Sequence, residues 1–304
     1  MRRVDAAGRL SSLVLVVASV TTGASVSAKE SLPWSTGLGE TSVGYTHGPI
    51  PIGDDAVWVH QLEFNPRWRP TDWLELDARI HWEQGRFKAP DSTEQVEWDG
   101  WSDLLLTVSS PGVTVPVLGL RTGGGVQLLL PTSGSSQEAT LVAGVGVMAQ
   151  ASRDFALLEG LELSYLVRYT ENIHRYTTAQ VCNAWFCETG RRNVARALAH
   201  GPSLKFRPWR SLTLSGSLLF TKAQLYPFAP LPFDPGTRSL ELDGLWCSAS
   251  VSWRAAAPLS IEAGITSNSF SVLPEEVASA RLDMVFFLRF TLYPVALVER
   301  LAGG

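Results

Sequence analysis

The chain has 304 residues, 25 Lys plus Arg against 29 Asp plus Glu, and its net charge of −4 offers no basic surplus for nucleic acid. Hydrophobic residues make up 45%, yet the mean hydropathy is only +0.07. That value is too polar for a bundle of lipid-buried helices and suits a β-barrel with a wet interior.

The N-terminus reads as a secretory signal. Met1-Arg2-Arg3 with Arg9 is a positive n-region, Leu10 to Val20 is a short apolar core, and Val26-Ser27-Ala28 is a small-residue cleavage site. Residues 1–28 are therefore expected to be a signal peptide cut after Ala28, leaving 29–304 as the mature domain. No later stretch approaches the ~18 uninterrupted apolar residues of a membrane helix. No linker or low-complexity run divides the mature chain, so it is read as one domain.

The mature chain keeps a two-residue beat. From Leu161 to Thr170 the odd positions are Leu161, Leu163, Tyr165, Val167 and Tyr169, while the even ones include Glu162, Ser164, Arg168 and Thr170. The same alternation predicts twelve strands, near 35–47, 57–66, 73–84, 101–109, 115–130, 139–152, 161–171, 194–206, 211–225, 239–254, 259–269 and 281–293. Strands apolar on one side and polar on the other, in a chain with a secretion signal, point to an all-β, antiparallel, up-and-down transmembrane barrel of about 12 strands in the bacterial outer membrane. Connections alternate in length. Short ones fall near 66–72, 110–114, 153–160, 207–210 and 255–258, as periplasmic turns should, and longer ones near 48–56, 85–100, 131–138, 171–193, 226–238 and 270–280. Lipid of the outer membrane and, during biogenesis, the barrel-assembly machinery are the expected partners. The last strand is succeeded by Pro294 to Gly304, so Phe290 or Tyr293 is read as an internal version of the aromatic end signal.

The third strand sets Leu74, Leu76, Ala78, Ile80 and Trp82 against Glu75, Asp77, Arg79, His81 and Glu83. The fifth sets Leu118, Leu120, Val126, Leu128 and Leu130 against Gly119, Arg121, Gly123, Gly125 and Gln127. Two strands break the rule, with Val57 and Val59 on the polar side and His200 on the apolar side. Trp68, Trp73, Trp209 and Trp253 flank short turns, and Trp58, Trp82, Trp98 and Trp101 lie toward long loops, as two interfacial girdles would. A soluble sandwich would also use aromatics, but not an apolar face on nearly every strand.

Candidate functional residues lie on the polar face. Glu75, Asp77, Arg79, His81, Glu83, Asp103, Arg121, Glu162, Arg168, Glu262, Asp283 and Arg289 are expected to line the lumen, together with Glu63. These charges either select solutes along a conduction path or pair and plug the barrel, because about 12 strands lie between the filled eight and the open sixteen. Arg191, Arg192 and Arg196 stand at the mouth of the eighth strand, where lipid phosphates could be met, but a plain solvated loop is the favoured reading. Cys182 and Cys187 fall in the longest loop and are read as a disulfide, and Cys247 as a small lipid-facing residue. No metal site or cofactor is expected, since no His/Cys set surrounds the cysteine pair. The five histidines are scattered. His174, beside Tyr169, Thr170, Glu171 and Asn172, is the nearest approach to a catalytic cluster, and the chain is read as a non-enzyme.

Gly100-Trp101-Ser102-Asp103-Leu104-Leu105-Leu106, Leu128-Leu129-Leu130-Pro131-Thr132-Ser133-Gly134 and Gly144-Val145-Gly146 resemble successive strands of bacterial outer-membrane transporters of the phenol meta-pathway type. In that family one strand opens on Gly-x-x-Asp-Leu and another ends in Leu-Pro-Thr-Gly; here Ser133 stands at the last position. The resemblance covers the middle third of the chain and implies uptake of small, hydrophobic molecules. The sequence thus favours a barrel that passively admits small molecules, with no particular solute marked. A non-conducting barrel that anchors a partner through its outer loops is the alternative, and a lipid-modifying enzyme at the rim a third.

Overall fold

A computed structural model of the chain describes residues 42–50, 57–88, 95–182, 187–227, 241–271 and 284–302. Its strands are β1 (Ser42–Ile50), β2 (Val57–Asn65), β3 (Arg67–Thr71), β4 (Leu74–Lys88), β5 (Gln95–Trp101), β6 (Leu104–Val115), β7 (Leu120–Leu130) and β8 (Leu141–Phe155). They continue as β9 (Leu161–His174), β10 (Thr178–Cys182), β11 (Cys187–Arg192), β12 (Val194–Trp209), β13 (Leu212–Leu225), β14 (Glu241–Ala256), β15 (Leu259–Ser271) and β16 (Met284–Leu292). Two short helices, α1 (Gly134–Glu138) and α2 (Pro294–Ala302), complete the described elements.

Each stave pairs antiparallel with its sequence neighbours, and β1 pairs with both β2 and β16, so the sheet closes on itself. Two staves are built from two pieces. Pro66 interrupts β2 from β3, both of which lie on β4. Ser102 and Asp103 interrupt β5 from β6, and these too share β4. Counted this way the barrel has twelve staves, the number read from the alternation. The β10–β11 hairpin forms a separate small sheet. Closure leaves no unpaired edge, which a span through lipid requires.

Exposure is inverted relative to a water-soluble domain. The buried apolar residues among those described are five: Leu141, Ala199, Leu219, Ala223 and Trp246. Val108, Val126, Val147, Leu163, Tyr165, Val167, Phe220, Val251 and Phe290 are instead exposed, while Arg79, His81, Thr107 and Ser152 are buried. A face this apolar around a closed sheet needs an apolar medium against it. Trp68, Trp73, Trp209 and Trp253 are each about half exposed or more beside the short turns, as an interfacial belt would place them.

One turn sits elsewhere than expected. Ser109-Ser110-Pro111-Gly112 carries turn-forming residues, yet β6 runs through it to Val115. Gly112, at φ +105°, instead makes a bulge, visible as a register shift between Ser110 and Val113. The chain reverses at Pro116–Gly119, where Leu118 N–H donates to Val115 O at 3.2 Å and Gly119 takes φ +59°. Leu118 is therefore a turn residue and not a strand residue. The segment expected to be the first short turn contributes β3, and the longest loop contributes the hairpin in which Cys182 and Cys187 are register partners. The last strand ends at Leu292 and passes into α2, where Leu297 N–H donates to Tyr293 O at 3.1 Å.

Candidate functional site

The inner wall is densest in charge along β4. Glu75, Asp77, Arg79, His81 and Glu83 alternate on one face of that strand. Arg67 Nε on β3 lies 3.2 Å from Glu75 Oε1 and 3.7 Å from Asp77 Oδ2, and Arg69 Nη2 donates to Glu75 Oε2 at 2.5 Å. Farther along the same stave Arg79 Nε stands 4.0 Å from Glu63 Oε1 on β2, and within β4 His81 Nε2 is 3.7 Å from Glu83 Oε2. Arg67 and Arg69 were not among the expected lumen residues because Pro66 and Asp72 make their segment read as a turn. Their spacing of two around Trp68 is the strand signal that identifies them.

A second group lies on β7, β9 and β12. Arg121 Nη2 is 3.7 Å from Glu162 Oε1, and Lys205 is the register partner of Glu162. On the closing staves Arg289 Nη1 is 3.6 Å from Glu262 Oε2, and Arg289 Nε donates to Thr46 Oγ1 at 2.9 Å. Serine hydroxyls continue the polar wall, with Ser164 and Ser203 2.5 Å apart and Ser217 and Ser248 2.8 Å apart. Arg168 stands on the same inner face, opposite Met148 and Ala199. Asp283 lies outside the described residues, as do the side chains of Cys182 and Cys187.

Asp103 has a different task. Its Oδ1 accepts from the Ser133 backbone N–H at 2.9 Å, and its Oδ2 accepts from the Ser136 hydroxyl. Thr132 Oγ1 donates to Ser102 O at 2.7 Å and accepts from Leu104 N–H at 2.9 Å, while Ser102 Oγ accepts from His81 N–H at 2.9 Å. The 102–103 break in the stave and the 131–136 loop are thereby stitched together, with Ser133 also capping α1. Both oxygens of Asp103 are occupied by this clip.

His174, the strongest histidine candidate, is likewise committed: its Nδ1 meets Ala139 O at 2.8 Å, and Asn193 Nδ2 donates to the same carbonyl at 2.7 Å. The Tyr226 ring meets it edge-on at 5.8 Å. No nucleophile or acid completes a catalytic set with it among the described contacts. His200 is on the outer face, as its strand position implied, with Tyr165 Oη 2.8 Å from its Nδ1 and Phe220 stacked on its ring. Val59 falls on the inner face between Gly48 and Gly85. Arg196 faces outward and donates from Nε to Gln224 Oε1.

No protein-family model matches the chain, and no curated protein does. Among solved structures it is similar to the COG4313 outer membrane channel from Pseudomonas putida F1, at TM-score 0.55 and 14% identity over 88% of this chain and 99% of that one. It is also similar to the NanC porin, at TM-score 0.46 and 7% identity over 83% and 98%. The chain has the fold of an outer-membrane β-barrel. At such identities the likeness extends to the architecture and leaves the lumen side chains to be read on their own.

Proposed function

We propose that the protein is a channel of the bacterial outer membrane that passively admits small molecules. The observation that carries this reading is the direction of the ion pairs. Each described lumen pair joins residues of one stave, of neighbouring staves or of staves one apart: Arg67 with Glu75, Arg79 with Glu63, Arg289 with Glu262, Arg121 with Glu162. These pairs are neutralised along the wall, and no described salt bridge crosses the axis to seal it. Such a lining is compatible with water and a passing solute. An apolar outer face with tryptophans near the short turns supports the membrane location, and we take residues 1–28 as the signal that directs export. Assembly machinery would then insert the barrel.

The middle-third resemblance to transporters of the phenol meta-pathway type supports small hydrophobic molecules as cargo. Catalysis is not part of this reading, since the rim histidine His174 is held by a backbone carbonyl. The test is planar-bilayer conductance of the refolded chain 29–304. Steady open steps are expected; silence from folded, inserted protein would refute the channel and leave the loops, with the Cys182–Cys187 hairpin foremost, as the working part.

A further inference from the structure

Tyr45, His47 and His60 meet on the outer face of β1 and β2. Tyr45 and His47 are register partners of Phe290 and Leu288 on β16, and His60 stands opposite His47. Tyr45 is exposed, as is Phe290 beside it. The two imidazole rings lie 4.8 Å apart, with Nδ1 facing Nδ1 at 3.3 Å, and Tyr45 Oη is 2.7 Å from the same His60 Nδ1. Thirteen residues separate the histidines in the chain, so only the β1–β2 register brings them together. Two residues below His60 lies Leu62, whose partner Trp82 pairs in turn with the exposed Trp101. The cluster therefore stands just beyond the aromatic belt on the long-loop side, where water meets the wall.

A neutral imidazole nitrogen has one N–H or one lone pair to give, never both. His60 Nδ1 nevertheless faces two partners. If it accepts the Tyr45 proton, its lone pair is spent before His47 is reached. If it carries the proton itself, it must split one N–H between two acceptors. A cation resolves the conflict, because it takes a lone pair from each of the three atoms at once. The spacing suits such an ion. Two nitrogens at about 2.0–2.1 Å from one tetrahedral Zn²⁺ stand about 3.3–3.4 Å apart, and the two Nδ1 atoms are 3.3 Å apart.

We propose that Tyr45, His47 and His60 form a binding site for a divalent transition metal at the outer rim of the barrel. The imidazoles select the ion. They suit Zn²⁺, Cu²⁺ or Ni²⁺, whereas Mg²⁺ and Ca²⁺ require oxygen ligands. The Tyr45 phenol adds one oxygen. Among the described residues no set of three or more His, Cys, Asp or Glu is placed to hold a metal, so water fills the remaining coordination. A bound ion ties β1 to β2 beside the seam where β1 meets β16. Binding to the folded chain alone makes the metal a stabiliser of the closed barrel. The site faces away from the lumen, and it stands whether or not the barrel conducts.

The test is calorimetric titration of the untagged mature chain, refolded in a non-ionic detergent, with Zn²⁺. One equivalent should bind, and excess Mg²⁺ should not displace it. His47→Gln and His60→Gln should each weaken binding at least about tenfold and Tyr45→Phe about threefold. His200→Gln, on the outer face of another stave, should bind as wild type does. Zn²⁺ should also raise the urea midpoint of the wild-type barrel and leave that of His60→Gln unmoved. No saturable binding, wild-type affinity in either His47→Gln or His60→Gln, or displacement by Mg²⁺ would overturn the proposal. Should one histidine variant fail to fold, the other and the Mg²⁺ competition still decide.

Discussion

Reversing one face of one stave is the sharpest test of which side meets lipid. Val147 lies near the middle of β8, exposed on the outer face, with Val126 and Tyr169 as its register partners. Val147→Arg puts a charge at mid-depth in hydrocarbon, which costs about 2–4 kcal/mol. That is about 30- to 800-fold in the ratio of folded to unfolded chain. The control is Gln127→Arg at nearly the same height, since Gln127 pairs with Gly146 one residue from the Val126–Val147 pair. Its side chain points inward, 3.4 Å from Thr107 Oγ1, so the new charge stays hydrated and the cost is expected to be about 0.5 kcal/mol or less. Urea titration of both variants in lipid vesicles, monitored by tryptophan fluorescence, reads the difference. Equal stabilities, or a larger loss in Gln127→Arg, would refute the assignment of faces on which the lumen rests.

Neutralising Glu75 and Asp77 together, as Gln and Asn, leaves Arg67 and Arg69 without their carboxylates; the reversal potential in a salt gradient should move toward anion selectivity, and an unmoved potential would count heavily against the channel. Asp103→Ala strips the partner from the Ser133 N–H and from the fully buried Ser136 hydroxyl. A loss of about 1–3 kcal/mol, with faster hydrogen exchange confined to the 131–136 loop, is expected, and exchange unchanged there would argue against the clip. For the proposed Cys182–Cys187 disulfide, thiol alkylation without reductant should label Cys247 alone, and all three cysteines after reduction. Since the bridge would close so short a loop, the double serine variant should shift the midpoint of unfolding little.

Much of the architecture was legible because a barrel stave repeats every two residues over its whole length. Leu74 to Glu83 and Leu161 to Thr170 announce their faces without reference to any neighbour, and even the exceptions, Val59 inward and His200 outward, stood where the alternation put them. Turn chemistry misled at Ser110–Gly112, where a bulge absorbs the glycine and the ladder of β6 and β7 continues beyond it. It misled again at Arg67 and Arg69, hidden in a segment bounded by Pro66 and Asp72.

The site divides along the same line. That Arg168, Glu162 and Asp77 share the polar face is a matter of parity along each strand, a local property of the chain. Whether a charge on that face has a partner depends on the height at which another stave passes, which is set by register and by closure of the sheet. The sequence alone therefore determines a twelve-stave barrel and the polarity of its two faces. The tertiary structure alone decides that Glu75 meets Arg69, that Asp103 is spent on a loop, and that Arg168, with Met148 and Ala199 beside it, has no counter-charge among the described residues. The physical reason is that side-chain direction has a period of two residues along the strand, whereas the pairing of charges depends on residues tens of positions apart brought to one height by the ladder.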